Sequence, residues 1–486
     1  MPITRRAFVA ALAGAAAAPA YAQQSKPTAN MAERMAAYAA GLRYTDLKPA
    51  DVEAVKAHFI DAMACAMGAF NEAPVRAVRQ IALANAGGPA TVIGTKRRST
   101  MDWAAFANGA ALRHFDLNDA YAGKEPGHPS DNITPCLAVA EAEGRSGRDL
   151  ILAIALAYEI DCHLLDAVRI TARGWDHPNY SLPAAALAAG KLMNLRQAQL
   201  TEAVNLALAG HYASNQTRLQ AISNWKGMAD ADAGRSAVFA AQLARGGITG
   251  PAPAFEGKAG FFSQVSGPFT LDFENFGGRA GPFLINACAY KHYPAQMTLQ
   301  TAVPAAAKAG AAVGAGLRDP GQVKSILVHT TLTGVQYSAD SAEKWAPETS
   351  ETADHSLPYV VARAMLDGEI TPASYSAQAL HDPRVRALMA VLKVEEDPAF
   401  TAAMPTRLPT RVTVTLNDGR TVSGESLDLP GFGGLPMTRA DVEAKFRRYV
   451  RGVWPEAQIR NFLDYAWNLE QQPKLTGLFQ RMVVTA

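Results

Sequence analysis

Beyond its N-terminal stretch the 486-residue chain has no run apolar enough and long enough to cross a bilayer. Cysteine is scarce: Cys65, Cys136, Cys162 and Cys288 lie far apart, and no C-x-x-C occurs. Closely spaced thiolates for an iron–sulfur cluster are therefore missing, which excludes dehydration of the cluster-dependent kind. The four thiols sit among Ala, Leu and Ile neighbours, the setting of buried free cysteines. An oxidising compartment would permit a disulfide, but the sequence does not say which two would pair. No G-x-S-x-G elbow is present, so a serine hydrolase is disfavoured. Gly431-Phe432-Gly433-Gly434 lacks the strand-to-helix setting of a dinucleotide loop, and there is no phosphate-binding Lys motif. Charge of either sign is also not in excess. The formal net charge is +2, and setting aside Arg5 and Arg6 leaves the rest balanced. No global field remains to attract nucleic acid or an anionic membrane, so any preference for anions must come from a local cluster of cations.

What is present begins with a leader. Arg5-Arg6 and Phe8 precede a small apolar run from Val9 to Ala18, and Pro19-Ala20-Tyr21-Ala22 reads as a cleavage site. Paired arginines before a weakly hydrophobic, Ala-rich core suit the twin-arginine route, so residues 1–22 are expected to be a signal and the protein periplasmic. The length exceeds what one core usually organises, so two domains are expected.

From Met31 to about Ala280 apolar residues recur at helical spacing. Leu150, Ile154, Leu156, Ile160 and Leu164 form one such face, with Gly147 as a breaker before it. Another helix is expected to start near Pro183, and a third to run from Gln197 to Leu208. After about Ala289 the character changes. Ser325–Thr331 reads as a strand, and Arg411–Leu416 and Arg420–Gly424 flank Asn417-Asp418-Gly419 as a hairpin. Helical spacing returns from Thr438. The expected architecture is mainly α: an all-helical domain from 30–289 and 436–486, and a smaller α+β lid, 290–435, inserted before the C-terminal helices.

Four polar loops could carry chemistry. His114 to Tyr121 leads into Gly127-His128-Pro129-Ser130-Asp131, a Gly/Pro-containing segment between apolar helices, where catalytic groups concentrate. Ser130 or Asp131 could instead cap the helix beginning near Ile133. The others are Arg173 to Pro178, with His177; Asn224-Trp225-Lys226-Gly227, followed by Asp230, Asp232 and Arg235; and Tyr290-Lys291-His292-Tyr293-Pro294-Ala295-Gln296, at the junction of the two domains. Glu159 and His163, four apart on a helix, permit a metal but lack a third ligand, and no metal site is expected.

These segments, in this order, resemble the MmgE/PrpD family. The resemblance also takes in His58-Phe59-Ile60-Asp61, Asn108-Gly109-Ala110, Phe255-Glu256-Gly257, Glu351 to Tyr359 and Lys445-Phe446. It implies a helical domain with an α+β lid, often in a homodimer, and a lyase that moves a proton beside a carboxylate without a cofactor. Members include 2-methylcitrate dehydratase, cis-aconitate decarboxylase and epimerases of small dicarboxylates. Asp116, His128, His177, Lys226 and Lys291 match positions lining the family site. Asp116 is then expected as general base and His177 as general acid, with the two roles exchangeable, His128 beside them, and Lys226, Lys291 and His292 supplying positive charge.

Two departures qualify the match. Asn118-Asp119-Ala120 stands where members commonly have Asp-Asp-Thr, and Gln296 stands where the decarboxylases have His. The expectation is therefore a cofactor-independent hydro-lyase on a citrate-like polycarboxylate. Its alternatives are an epimerase, isomerase or decarboxylase of a related acid, or a periplasmic carboxylate-binding protein that has lost the base.

Overall fold

The computed structural model describes residues 29–485 apart from 315, 316, 318, 405, 433 and 434. The signal expected over 1–22 lies outside them.

Buried apolar side chains gather into two large clusters. One draws on residues 31–290 and 442–482, and the other on residues 295–416. In the first, the helices Gly147–Ala167, Pro178–Leu192, Gln197–Gly210 and Ala229–Arg245 pack on one another and are almost wholly apolar on their shared faces. Alanine is abundant at these contacts, and side chains that short let helix axes approach closely. Two sequence-based boundaries shift. Gly147 is the first residue of its helix, capped by Ser146 and Asp149, and Pro183 sits inside a helix that Pro178 opens. Proline at the first turn costs no hydrogen bond, which is why Pro178 starts the helix.

The helical domain is not purely helical. Ala86–Thr91 pairs with Arg98–Ser99, and Tyr121–Ala122 with Pro126–Gly127, as short antiparallel ribbons. The second ribbon shapes the loop that carries Asp116 and His128.

The smaller unit holds a four-stranded sheet in the order Leu392–Glu396, Val323–Thr330, Thr410–Leu416, Thr421–Ser426. The first pair is parallel and the others antiparallel. The expected hairpin is present, with Gly419 at φ +86° in its turn. The Ala302–Val313 helix lies so close over the sheet that a Cβ at Gly424 would meet the Ala305 carbonyl at 2.1 Å. Helices Arg439–Val450 and Glu456–Trp467 then return to the first core. Glu159 and His163 prove structural: the carboxylate accepts from the amides of Gly277 and Leu284, and the imidazole stacks on Phe276. All four cysteines are buried and free. Among the described residues no helix is long and apolar enough to cross a membrane.

Candidate active site

A cavity of about 270 Å³ opens between the two units. Its wall includes Asp116, His128 and His177 from the helical domain and Gln296, Tyr337 and His355 from the insert. Each catalytic candidate stands at an element's end, where the backbone can turn a side chain inward. Asp116 follows the Met101–Arg113 helix with φ +51°, His128 precedes a short 3-10 turn, and His177 is the residue before the Pro178–Leu192 helix.

Asp116 is the centre of the charge network. Its carboxylate meets the Arg113 guanidinium, Lys291 Nζ at 3.1 Å and His128 Nε2 at 3.7 Å, while Lys291 also donates to the Asp116 carbonyl at 2.8 Å. Oδ2 is buried without a hydrogen-bond partner and faces His355 Nε2 at 4.0 Å. Burial alone would raise this carboxyl, but Lys291, Lys226 and Arg113 outweigh it and hold Asp116 well below the ordinary carboxylate range. A carboxylate so stabilised is a weak base while those cations stay on it.

His128 is fixed from behind. Its Nδ1 lies 2.7 Å from the Asp119 carbonyl, which can only accept, so Nδ1 carries the proton and Nε2 presents a lone pair to the cavity. Burial, then Arg113 and Lys291, keep this imidazole neutral by pushing its pKa well below the usual value. The Asp119 carboxylate is itself held by His58 Nδ1 at 2.9 Å, Tyr158 Oη at 2.7 Å and the Ser130 amide at 3.0 Å. His177 stands edge-on to His128, with ring centroids 5.2 Å apart. Its Nδ1 meets Asp176 at 3.1 Å, and its Nε2 faces Asp230 at 3.6 Å.

The two lysines reach the site from opposite sides of the junction. Lys226, fully buried, donates to Asp354 at 2.7 Å. Burial lowers Lys291 to about 8 against the opposing pull of Asp116. His292 is not brought in: its Nε2 donates to the Pro430 carbonyl at 2.6 Å, outside the cavity wall.

His355 lies on the cavity wall but outside the sequence-predicted site, although its segment is part of the resemblance. Its Nδ1 is held by Asp354, and burial with the charge of Lys226 lowers it to about 4. Asp354 thus orients one imidazole and pairs one lysine, and an Asp-His step before a helix was the available signal. Lys344 is a second residue missed, held by Asp340 at 2.6 Å on the cavity wall. Gln296 lines the cavity too, with its Oε1 taken by the hydroxyls of Thr298 and Ser338. Asp131, His177 and Asp230 offer ligand atoms within 4.8 Å of one another, all buried.

The N-terminal domain of the MmgE/PrpD family matches residues 33–274, and the C-terminal domain of that family matches residues 293–471. Among curated relatives, a 2-methylcitrate dehydratase of Cupriavidus necator is 28% identical over 400 residues, covering 77% of this chain and 80% of its own length. The 2-methylcitrate dehydratase of Salmonella typhimurium is 27% identical over 408 residues, 79% of this chain and 83% of its own. Cis-aconitate decarboxylase of Homo sapiens is 27% identical over 392 residues, 76% of each chain.

Proposed function

Since the chain belongs to the MmgE/PrpD family, whose similar members named above are lyases of small carboxylic acids, we propose that it removes water from a citrate-like hydroxy-polycarboxylate without a cofactor. The observation carrying this reading is the arrangement of His128 and His177 on one small cavity, backed by Asp116 and two buried lysines. Elimination beside a carboxylate needs a base at carbon, an acid at the leaving hydroxyl, and cations for the charge that builds on the carboxylate.

The roles follow from the electrostatics. Asp116, the expected base, is too strongly held by cations to compete for a carbon-bound proton. His128 Nε2 takes it instead, and Asp116, 3.7 Å away, stabilises the imidazolium that forms. His177 gives a proton to the departing hydroxide, which leaves as water. Lys291 and Lys226 keep their aspartates and present their remaining N–H bonds to substrate carboxylates. Gln296, an amide, cannot transfer a proton to carbon, which favours dehydration over decarboxylation.

The test is incubation of chelator-treated protein with a panel of tri- and dicarboxylates in D2O. Double-bond absorbance is expected. Deuterium uptake without absorbance means epimerisation, binding alone means a carboxylate-binding protein, and loss of turnover on chelation sinks the cofactor-free reading.

A pH limb follows from Lys291. It holds a carboxylate only when protonated, so kcat/KM declines above about pH 8. Lys291→Arg keeps the charge and moves that decline to higher pH, as pH–rate profiles of the two proteins will show.

Periplasmic location by the twin-arginine route belongs to the same proposal and rests on Arg5-Arg6 and the Ala20-Tyr21-Ala22 boundary. Replacing both arginines by lysine strands the protein in the cytoplasm, whereas native protein beginning at Met1 rules the signal out. Light scattering reads the homodimer that the family resemblance implies.

A further inference from the structure

Beside His177, two carboxyl groups come together around one N–H of Arg113. Asp131 comes from the Pro129–Asn132 turn and Asp230 from the first turn of the Ala229–Arg245 helix, at 5% and 1% exposure. Asp131 Oδ1 accepts from Asn118 Nδ2 at 3.1 Å, and Asp230 Oδ2 accepts from Arg218 Nη2 at 3.0 Å. Their other oxygens, Asp131 Oδ2 and Asp230 Oδ1, are buried without a hydrogen-bond partner. Ligand atoms of both carboxyls and of His177 lie within 4.8 Å of one another. Arg113 Nε offers one N–H to both carboxyls, so the pair still lacks a donor, and lone pairs this close in a dry interior need a further proton or cation.

A divalent cation is disfavoured by the surroundings. Arg113 Nε already lies 3.3 Å from Asp230 Oδ2 and 3.6 Å from Asp131 Oδ2, and Arg218 grips Asp230 from the other side. A metal bound to the free oxygens would sit against one or both guanidinium groups. A proton has no such cost, because it needs no ligand shell.

We propose that Asp131 and Asp230 hold one proton between them and serve His177 as its proton source. The proposal rests on the dehydration reading for its role, but not for its existence. His177 gives its Nε2 proton to the departing hydroxide, forming water, with the ring turned into the cavity; turned back to the position seen here, Nε2 faces Asp230 Oδ1 at 3.6 Å and takes the shared proton. The pair is then two carboxylates, balanced by Arg113 and Arg218. The proton that His128 took from carbon leaves to solvent as product departs, and the pair is refilled from solvent, so the sum is loss of one water from substrate. Burial and the charge of Asp230 push Asp131 well above the carboxylate range, and Arg218, His177 and Arg113 hold Asp230 at about 2 against its burial. One carboxyl is thus protonated and the other ionised, as for two carboxyls forced to share a site. Asp119 and Asp161 are the further carboxyls whose charge reaches the pair, and Asp116 stands beyond Arg113.

Asp131 and Asp230 are therefore positioning residues acting through His177. The direct test is infrared spectroscopy of the substrate-free protein at pH 8.5. Burial raises Asp161 only to about 7, so its carboxyl is ionised there. A protonated-carboxyl stretch is expected in the unaltered protein beside any from Asp61 and Glu141, which burial also raises; Asp131→Asn removes that component and Asp230→Asn weakens or shifts it, either of which suffices if the other fails to fold. Absence of that component in the unaltered protein overturns the proposal whatever the protein catalyses. So does its unchanged persistence in a folded variant, or a divalent metal that copurifies at one per chain. With a substrate in hand, Asp131→Asn is expected to lower kcat by about 10²-fold with little change in KM, the smaller end of acid–base contributions. It should also flatten the pH dependence of kcat. An unchanged pH profile with the infrared stretch still lost would leave a shared proton that does not feed His177, and would overturn the relay.

Discussion

Asp116→Asn lowers kcat by roughly 10²-fold or more while leaving the protein folded. The amide fills the same volume, and asparagine is among the residues that tolerate the positive φ of +51° found here. What is lost is charge. Arg113, Lys291 and Lys226 all act on the carboxylate, and an amide leaves them without the counter-charge that lets His128 become an imidazolium 3.7 Å away. The transition state suffers more than the ground state, because the imidazolium exists only once the carbon-bound proton has begun to move. KM is expected to change little, or to fall, since Lys291, freed of its carboxylate partner, holds a substrate carboxylate more firmly. His177→Ala has a loss of similar size for a different reason, the missing proton at the leaving hydroxyl. Steady-state kinetics on the acid identified by the D2O panel decide the matter. Fully active, normally folded Asp116→Asn and His177→Ala proteins would refute the site.

How much of this was legible in the chain depends on what each feature needs. Periodicity alone revealed the helical domain, because its helices bury broad apolar faces. The Asn417-Asp418-Gly419 hairpin was legible because its turn demands a positive φ that Gly419 supplies. Leu392–Glu396 was not, because Lys393, Glu395 and Glu396 mark a sheet edge whose charges hide the alternation. Ala86–Thr91, with two glycines and a proline, carries no strand signal and is paired only by tertiary context.

The site divides the same way. Its polar loops could be found from composition, and the resemblance ordered them. Their convergence could not be read, since it depends on how the insert closes over the helices. His355 and Lys344 enter from that insert, and His292 turns out of the cavity. Nor could sequence tell base from stabiliser. That distinction rests on three cations meeting at one carboxylate, a property of packing across the chain.

The largest effect on stability is expected at Arg113. Its guanidinium is 1% exposed and faces Asp116, Asp131 and Asp230 together. Removing one partner of a buried ion pair typically costs about 3–5 kcal/mol, because the desolvated charge left behind has nothing to repay it. Arg113→Leu keeps apolar contact in the same helix, so the loss it reports is mainly electrostatic. The variant is expected to unfold at clearly lower urea concentration, or to accumulate as insoluble protein, since a loss of that size is a large part of a typical domain's stability. The second variant separates charge from volume. Asp116→Asn in the Arg113→Leu background removes a stranded carboxylate and should recover part of the loss, although it restores no packing. Coupling of this kind is expected between groups in direct contact and not between distant ones. If Arg113→Leu unfolds at the same urea concentration as the unaltered protein, the buried carboxylates are not held by Arg113. The shared proton of Asp131 and Asp230 would then need a different counter-charge.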